Sequence, residues 1–383
     1  MIDNFSHIRP YSEEETLIAV KKLFNDPHFL QLLTVFEDKI NIDEWVKKVV
    51  SCKTQLEFHL AFADRVFHYI IDKSCRNTFF SGIENTNPQN QYLFIGNHRD
   101  IILDSSFLQV YFFQSGNCAT RTAIGDNLLA NPLFAEIAKI HKMFLVLRSG
   151  SLKERMANTH TLASYIHHSL FEDKESVWIA QGNGRTKNGD DKTQQGLLKM
   201  FTFADPQNAM PLLKRMNITP VAISYQYEPC AKLKARELAL SEDQPYKKQP
   251  GEDTNSILEG ITGYKGDVHF VIGKPLQQEF DEIPEDISLN DKLTMVCDII
   301  DNQIYENYFL YPQNYIAIDI RENTNKFSDR YTQEEKSAFL EYLNKESTVP
   351  DVSKEKMMRY LLDIYANPVR NKKTIFADKK NEK

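Results

Sequence analysis

The stretch QYLFIGNHRDIILD, residues 91–104, carries the clearest structural signal in the sequence. Its first part is a short apolar run that ends at Gly96 and Asn97, a pattern typical of a buried strand followed by a turn. His98 comes directly after this turn, and Asp104 follows three aliphatic residues. We therefore predict a buried strand that is followed directly by a turn with several ionisable side chains.

On the C-terminal side of this stretch, strand-like and helical segments alternate. Further strands are predicted at FLVLR (144–148), SVWIAQG (176–182), ITPVAISYQY (218–227) and GDVHFVIGKPL (266–276). The last of these stops at Gly-Lys-Pro, which favours a position at a sheet edge. A long helix is predicted from about Leu152 to Glu172. The repeated strand–helix–strand order predicts an α/β fold with a central mixed, largely parallel sheet flanked by helices.

Helical patterns precede and follow this α/β domain. Apolar positions at three- and four-residue spacing predict an N-terminal helical region over residues 1–80, whose stripes cover the core or, alternatively, contact a membrane. The α/β domain is predicted over 81–285 and a C-terminal helical region over 286–370. The charged tail, 371–383, lacks an apolar period and is expected to be flexible.

Composition narrows the class of protein. The 383 residues are 42% hydrophobic with a formal net charge of −7, which favours a globular chain and argues against nucleic-acid binding. The five cysteines form no C-x-x-C pair, which favours a reduced, cytoplasmic setting. No N-terminal signal peptide is visible, and no apolar run approaches the roughly 18 residues that span a bilayer. Any membrane contact is therefore expected to be peripheral.

His98 is the strongest candidate for chemistry in this sequence. An imidazole that acts as a general base needs a carboxylate to fix its tautomer and to stabilise its cation, and Asp100 and Asp104 are both near enough in sequence. By itself the pattern is weak, because a histidine beside an aspartate is more often a structural pair. The support comes from other blocks of the chain.

Two later blocks have the composition of an anion-binding site. Arg148 follows a predicted strand, where a guanidinium could hold a phosphate through two hydrogen bonds. Glycines, Arg185 and Lys187 follow the next predicted strand, and backbone amides with two cations suit an anionic ligand. A further apolar block contains Pro220 and could form a wall of the site.

In chain order, these blocks resemble the glycerol-3-phosphate and 1-acylglycerol-3-phosphate (lysophosphatidate) acyltransferase superfamily. Its pattern is a histidine, four residues and an aspartate, then a strand ending in arginine, a Glu-Gly-x-Arg-type loop, and an apolar block with proline. The counterparts here are His98, Arg148, the loop 181–186 and Pro220. The third block is similar to the branch that acylates glycerol 3-phosphate or dihydroxyacetone phosphate. The layout also resembles acyltransferases of Bacteroidetes-type bacteria with the same Asn-His-Arg-Asp motif.

The sequence departs from the family pattern at two positions. Asp104 lies six positions after His98 instead of five, so either the turn absorbs the extra residue or Asp100 orients the histidine. The small and apolar residues after Asp104 favour Asp104. Gln181 replaces the family's glutamate. Its amide can form hydrogen bonds but cannot neutralise a cation, so the acyl acceptor could differ from that of the family.

The resemblance implies an O-acyltransferase that moves a fatty acyl group from acyl-CoA or acyl-carrier protein to a hydroxyl of glycerol 3-phosphate or 1-acylglycerol 3-phosphate. His98 would be the general base, with Asp104 or Asp100 as its partner. The implied substrate-binding residues are Arg148, Gln181, Gly182, Arg185, Thr186 and Lys187. No metal or cofactor beyond the thioester is expected, and the enzyme would work peripherally at the inner face of the membrane. Alternatives are another acceptor, such as an amino-acid lipid, or a non-catalytic lipid-binding protein of the same fold.

Overall fold

The computed structural model describes residues 4–38, 40–116, 119–130, 132–242 and 244–381. Parts of the predicted N-terminal region and tail, and Cys118, lie outside these ranges. The other four cysteines, Cys52, Cys75, Cys230 and Cys297, are free thiols.

A seven-stranded sheet forms the centre of the described chain, in the order β1-β7-β6-β2-β5-β3-β4. Neighbouring strands are parallel except for β6 and β7, which are antiparallel. The strands are β1 (Cys75–Ser81), β2 (Leu93–Gly96), β3 (Arg121–Gly125), β4 (Met143–Val146), β5 (Val177–Ala180), β6 (Ile218–Tyr225) and β7 (Gly266–Ile272). This sheet confirms the predicted mixed, largely parallel α/β fold.

The central strands are apolar along their whole length because both faces of the sheet are covered. Every residue of β2 and β6 is buried, as expected for strands with helices on both sides. The helices are α1 (Glu13–Leu23), α2 (Pro27–Leu33), α3 (Ile42–Val50), α4 (Gln55–Phe58), α5 (Asp64–Ser74), α6 (Leu103–Gln114), α7 (Pro132–Ile140), α8 (Leu152–Phe171), α9 (Gln195–Phe201), α10 (Ala209–Arg215), α11 (Ala231–Leu240), α12 (Glu252–Thr262), α13 (Leu289–Asn307), α14 (Pro312–Arg321), α15 (Gln333–Glu346) and α16 (Lys354–Asn381).

The predicted edge position of the 266–276 strand is wrong. β7 lies between β6 and β1, and β1 pairs with it in parallel from Cys75 to Ser81. The sequence CRNTFFS of β1 falls inside the segment predicted as helical, because polar residues interrupt its apolar pattern. β3 was also not predicted, since RTAIG is short and only partly apolar.

The N-terminal helices pack around an aromatic core of their own. Trp45 stacks on Phe62 with ring centroids 5.2 Å apart, and the Trp45 indole donates a hydrogen bond to the Ala61 carbonyl. Buried residues of this core also contact Ile140 of α7, so aromatic packing joins the helices to the sheet domain.

The C-terminal helices share a core with the α/β domain. Ala231 and Ala235 of α11 belong to the same buried cluster as Phe339 and Leu361 of α15 and α16. The backbone of α16 is helical through Asn381, so the described part of the predicted tail, residues 371–381, is helical. The flexibility of the tail and the domain boundaries stay predictions. Among the described helices, none has the length and apolar character needed to cross a bilayer.

Candidate active site

His98 and Asp104 form a hydrogen-bonded pair at the end of β2. His98 Nδ1 lies 2.8 Å from Asp104 Oδ2, with the histidine side chain 16% exposed and the aspartate fully buried. Asp104 is the second residue of α6, and the residues between β2 and α6 are not helical. The turn therefore absorbs the extra residue in the His-to-Asp spacing, and the carboxylate still faces the imidazole.

Four donors surround the Asp104 carboxylate. Besides His98, Oδ2 accepts hydrogen bonds from the backbone amides of Arg99 (2.6 Å) and Asp100 (2.9 Å). Oδ1 accepts a hydrogen bond from the Tyr225 hydroxyl at 2.8 Å. Burial and the nearby Asp104 carboxylate raise the pKa of Tyr225 well above its ordinary value, so this phenol stays protonated and remains a donor.

The Asp100 carboxylate is hydrogen-bonded to the start of α6 instead of to His98. Its Oδ1 accepts hydrogen bonds from the backbone amides of Ile102 (2.9 Å) and Leu103 (2.8 Å), where it supports the start of α6. Its side chain packs against Gly260, where a Cβ atom would lie only 2.2 Å from Asp100 Oδ2. Burial, followed by the Asp104 charge, raises the pKa of Asp100. Of the two candidate partners, the structure thus brings Asp104 to His98.

A cavity of about 430 Å³ opens beside His98. Trp178 of β5 also lines the cavity and meets the His98 ring edge-on, with centroids 5.7 Å apart. Apolar residues line the cavity from β4, α8 and α9: Val146, Leu162, Leu197 and Met200. Charged residues line it as well: Arg148, Arg155, Arg185, Lys248 and Asp253. The cavity therefore combines an apolar wall with an excess of cations among its described lining residues.

The predicted substrate-binding residues separate into two groups. Arg148, Gly182 and Arg185 line the cavity. Arg185 Nη1 is buried and has no hydrogen-bond partner among the described residues, so this donor is free to bind a ligand. Burial lowers the pKa of Arg148.

The second group lies outside the cavity lining. The Thr186 amide donates a 2.8 Å hydrogen bond to the His98 carbonyl, which ties the loop after β5 to the histidine turn. Lys187 forms an ion pair with Glu237. Gln181 is buried, and its side-chain amide has no partner within the described part of the chain. Gln181, Thr186 and Lys187 thus belong to the loop after β5, but they do not line the cavity.

Asp191 joins the two residues that flank His98. Its Oδ2 accepts hydrogen bonds from Asn97 Nδ2 (3.1 Å) and from Arg99 Nη2 (2.5 Å). The hydroxyl of Tyr308 also donates to Asp191. All of these side chains are buried, and a buried ion pair of this kind holds its neighbours in one arrangement.

Sequence reasoning did not identify several of these residues. Trp178 and Tyr225 stand in strands that read only as apolar segments, and Asp191 is one of two adjacent aspartates in a polar loop. Arg155 could have been found, because its position on the predicted 152–172 helix places it on the same side as Leu162. In the described ranges, no group of three or more His, Cys, Asp or Glu residues could hold a metal ion.

Comparison with known proteins assigns a domain family to part of the chain. A family model described as Acyltransferase matches residues 77–224, the segment that contains His98, Asp104 and most of the cavity lining. Residues 77–224 are therefore an acyltransferase domain, which agrees with the prediction of an acyltransferase enzyme. Among solved structures, it is similar to the 1-acyl-sn-glycerophosphate acyltransferase PlsC from Thermotoga maritima, with 9% identity and a TM-score of 0.39. That match covers 76% of this chain and 97% of PlsC. No curated protein matches the sequence.

Proposed function

We propose that the enzyme transfers a fatty acyl group from acyl-CoA or acyl-carrier protein to a hydroxyl of glycerol 3-phosphate or 1-acylglycerol 3-phosphate. The observation that carries the proposal is the His98–Asp104 pair at a cavity that has both an apolar wall and, among its described residues, an unpaired cationic donor. A general base, a phosphate-binding group and a site for an acyl chain are the three components that this reaction requires.

The hydrogen bond to Asp104 defines the chemistry of His98. With Nδ1–H donated to the carboxylate, Nε2 carries the lone pair and accepts the proton of the acceptor hydroxyl. The hydroxyl oxygen attacks the thioester carbonyl, and collapse of the tetrahedral adduct forms the ester and breaks the C–S bond. The departing thiolate takes the proton from the imidazolium, which Asp104 stabilises in the meantime.

The cavity offers different surroundings to the phosphate and to the acyl chain of 1-acylglycerol 3-phosphate. Arg148 and Arg185 are suited to the phosphate, since a guanidinium offers two parallel donors to its oxygens. The apolar residues of α8 and α9 are suited to an acyl chain.

We also propose that the enzyme is cytoplasmic and acts peripherally at the inner face of the membrane, where its acylated product would be released. Support comes from apolar side chains exposed near the cavity on α8: Leu152 is 69% and Met156 58% exposed. Lys153 and Arg155 lie in the same turn and would favour an anionic surface.

Acyl transfer by the purified protein tests the proposed function. The panel pairs acyl-CoA and acyl-carrier protein donors with glycerol 3-phosphate, lysophosphatidate and lyso-amino-acid lipids. We expect activity with a phosphate-bearing acceptor and a loss of roughly 10²–10⁴-fold in His98→Ala. His160→Ala is the control, because His160 stacks on Phe203 at the surface of α8. Full activity in His98→Ala would refute the mechanism, and activity only with lyso-amino-acid lipids would refute the acceptor.

A further inference from the structure

Strand β6 holds both ends of the segment that carries His98. Asn97 Nδ2 donates to the Ile223 carbonyl (2.9 Å), and the Ile223 amide donates to Asn97 Oδ1 (2.8 Å). Two residues along the same strand, the Tyr225 hydroxyl donates to Asp104. Because the Ile223 backbone and the Tyr225 side chain belong to one strand, the sheet determines the position from which Tyr225 reaches Asp104.

Tyr225 lies beyond the end of β2, under the turn. β2 pairs in parallel with β6 and its last residue, Gly96, is opposite Val221. Tyr225 is therefore four residues past the last paired position, where β6 continues beneath the histidine segment. The tyrosine is 6% exposed and belongs to the same buried cluster as Phe107 of α6.

The donors at Asp104 act on its two oxygens separately. Oδ2 is held beside His98 by two backbone amides, which a side-chain substitution leaves in place. Tyr225 is the donor that holds Oδ1 among the described residues. It fixes the plane of the carboxylate and withdraws part of its negative charge, since a hydrogen bond to a carboxylate stabilises that charge.

We propose that Tyr225 is a positioning residue for the reaction, which acts through Asp104 to set the pH range in which His98 is a base. The inference rests on the proposed function of His98. The other charged side chains that line the cavity with His98 are unchanged by a substitution of Tyr225: Arg148, Arg155, Arg185, Lys248 and Asp253. When the Tyr225 hydroxyl is removed, Asp104 loses one hydrogen bond that stabilises its negative charge, and its attraction for a protonated His98 becomes stronger. The protonated imidazole is then favoured, and a higher pH is needed to free the base.

Tyr225→Phe tests this role, because it removes one oxygen and keeps the ring that packs in the core. The acid limb of the kcat/KM profile should move to higher pH by roughly half a unit to one unit, with kcat on the plateau less than about ten-fold lower.

Tyr111→Phe is the matched control. Tyr111 is also 6% exposed in the same cluster, and its hydroxyl accepts a hydrogen bond from the Ile83 amide, away from His98. This variant should lose a similar amount of thermal stability with no movement of the acid limb.

An NMR titration of the His98 ring in wild type and Tyr225→Phe provides a readout that needs no substrate. Its midpoint should move upward together with the kinetic limb. An unchanged midpoint and an unchanged limb in a folded Tyr225→Phe would overturn the inference, as would a loss of stability alone. If His98→Ala keeps its activity, the proposed function fails instead, and the NMR midpoint still reports whether Tyr225 acts on His98.

Discussion

At the scale of single residues, the site depends on how two neighbouring aspartates are used. Asp104 receives His98 and three further donors, whereas Asp100 supports the backbone at the start of α6. Both are buried, but within the described ranges only Asp104 is hydrogen-bonded to a group that can become cationic. We therefore assign the two carboxylates different roles, one in charge stabilisation and one in local structure.

Replacing each aspartate by asparagine separates these roles. Asn at 104 can keep an oxygen facing the three N–H donors but cannot stabilise an imidazolium, so kcat/KM should fall by roughly 10²–10⁴-fold. Asp100→Asn keeps an acceptor for the Ile102 and Leu103 amides and should stay within about ten-fold of wild type. Acceptor-dependent kinetics and circular dichroism measure the two effects. The reverse ranking of Asp104→Asn and Asp100→Asn would contradict the assignment.

At the scale of secondary structure, α8 connects the cavity to the surface. Arg155, Asn158, Thr159 and Leu162 line the cavity, while Leu152 and Met156 project from the first two turns into solvent. Residues four apart lie on one face of a helix, so these two apolar side chains form one small patch. Its position allows a lipid surface to approach the cavity from this end of the helix.

The double variant Leu152→Asp with Met156→Asp should weaken binding to phosphatidylglycerol-containing vesicles by roughly ten-fold or more, since two apolar side chains no longer enter the interface. Vesicle co-sedimentation gives the bound fraction. The matched control is Leu32→Asp with Val35→Asp, because both side chains are more than half exposed in the N-terminal region. Weaker binding only in this control would indicate that the N-terminal helices, and not α8, contact the membrane.

At the scale of the whole molecule, the C-terminal helices hold the site together. Tyr308 donates to Asp191 beneath the histidine turn, and the Tyr365 hydroxyl of α16 accepts a hydrogen bond from the Glu228 amide at 2.9 Å. Glu228 in turn contacts Arg99 and Lys234. Buried polar contacts of this kind are costly to break one at a time, so the C-terminal helices are integral to the framework of the candidate active site.

Gly189 brings the loop after β5 into close contact with α16. Its φ is +78°, and a Cβ atom there would lie 2.2 Å from the Ile364 carbonyl oxygen. Gly189→Ala should therefore lower the free energy of unfolding by about 2 kcal/mol or more, through both backbone strain and separation of the loop from α16. Chemical denaturation measures the change.

Gly184→Ala isolates the backbone part of that cost. Gly184 has a φ of +88° in the same loop, but a Cβ atom added there would have no described atom within 4 Å. It should lose clearly less stability than Gly189→Ala. Equal losses in the two variants would mean that the contact with α16 contributes nothing.

Much of the site and fold could be predicted because local patterns carried the information. The apolar run before His98 indicated β2, the alternation of segments indicated the α/β class, and the order of the blocks indicated the acyltransferase domain. Arg148 and Arg185 do reach the cavity, since both follow strands that end near it. Short-range sequence determines these features because strand, turn and helix preferences act over a few residues.

Only the tertiary structure decided which groups meet. The choice of Asp104 over Asp100 depends on the turn geometry, and the roles of Tyr225 and Asp191 depend on strands and helices more than 90 residues away. Lys187 illustrates the same point, because it forms an ion pair with Glu237 and does not line the cavity. Contacts between distant segments leave no local periodicity in a single sequence, so the fold must bring them together before they can be recognised.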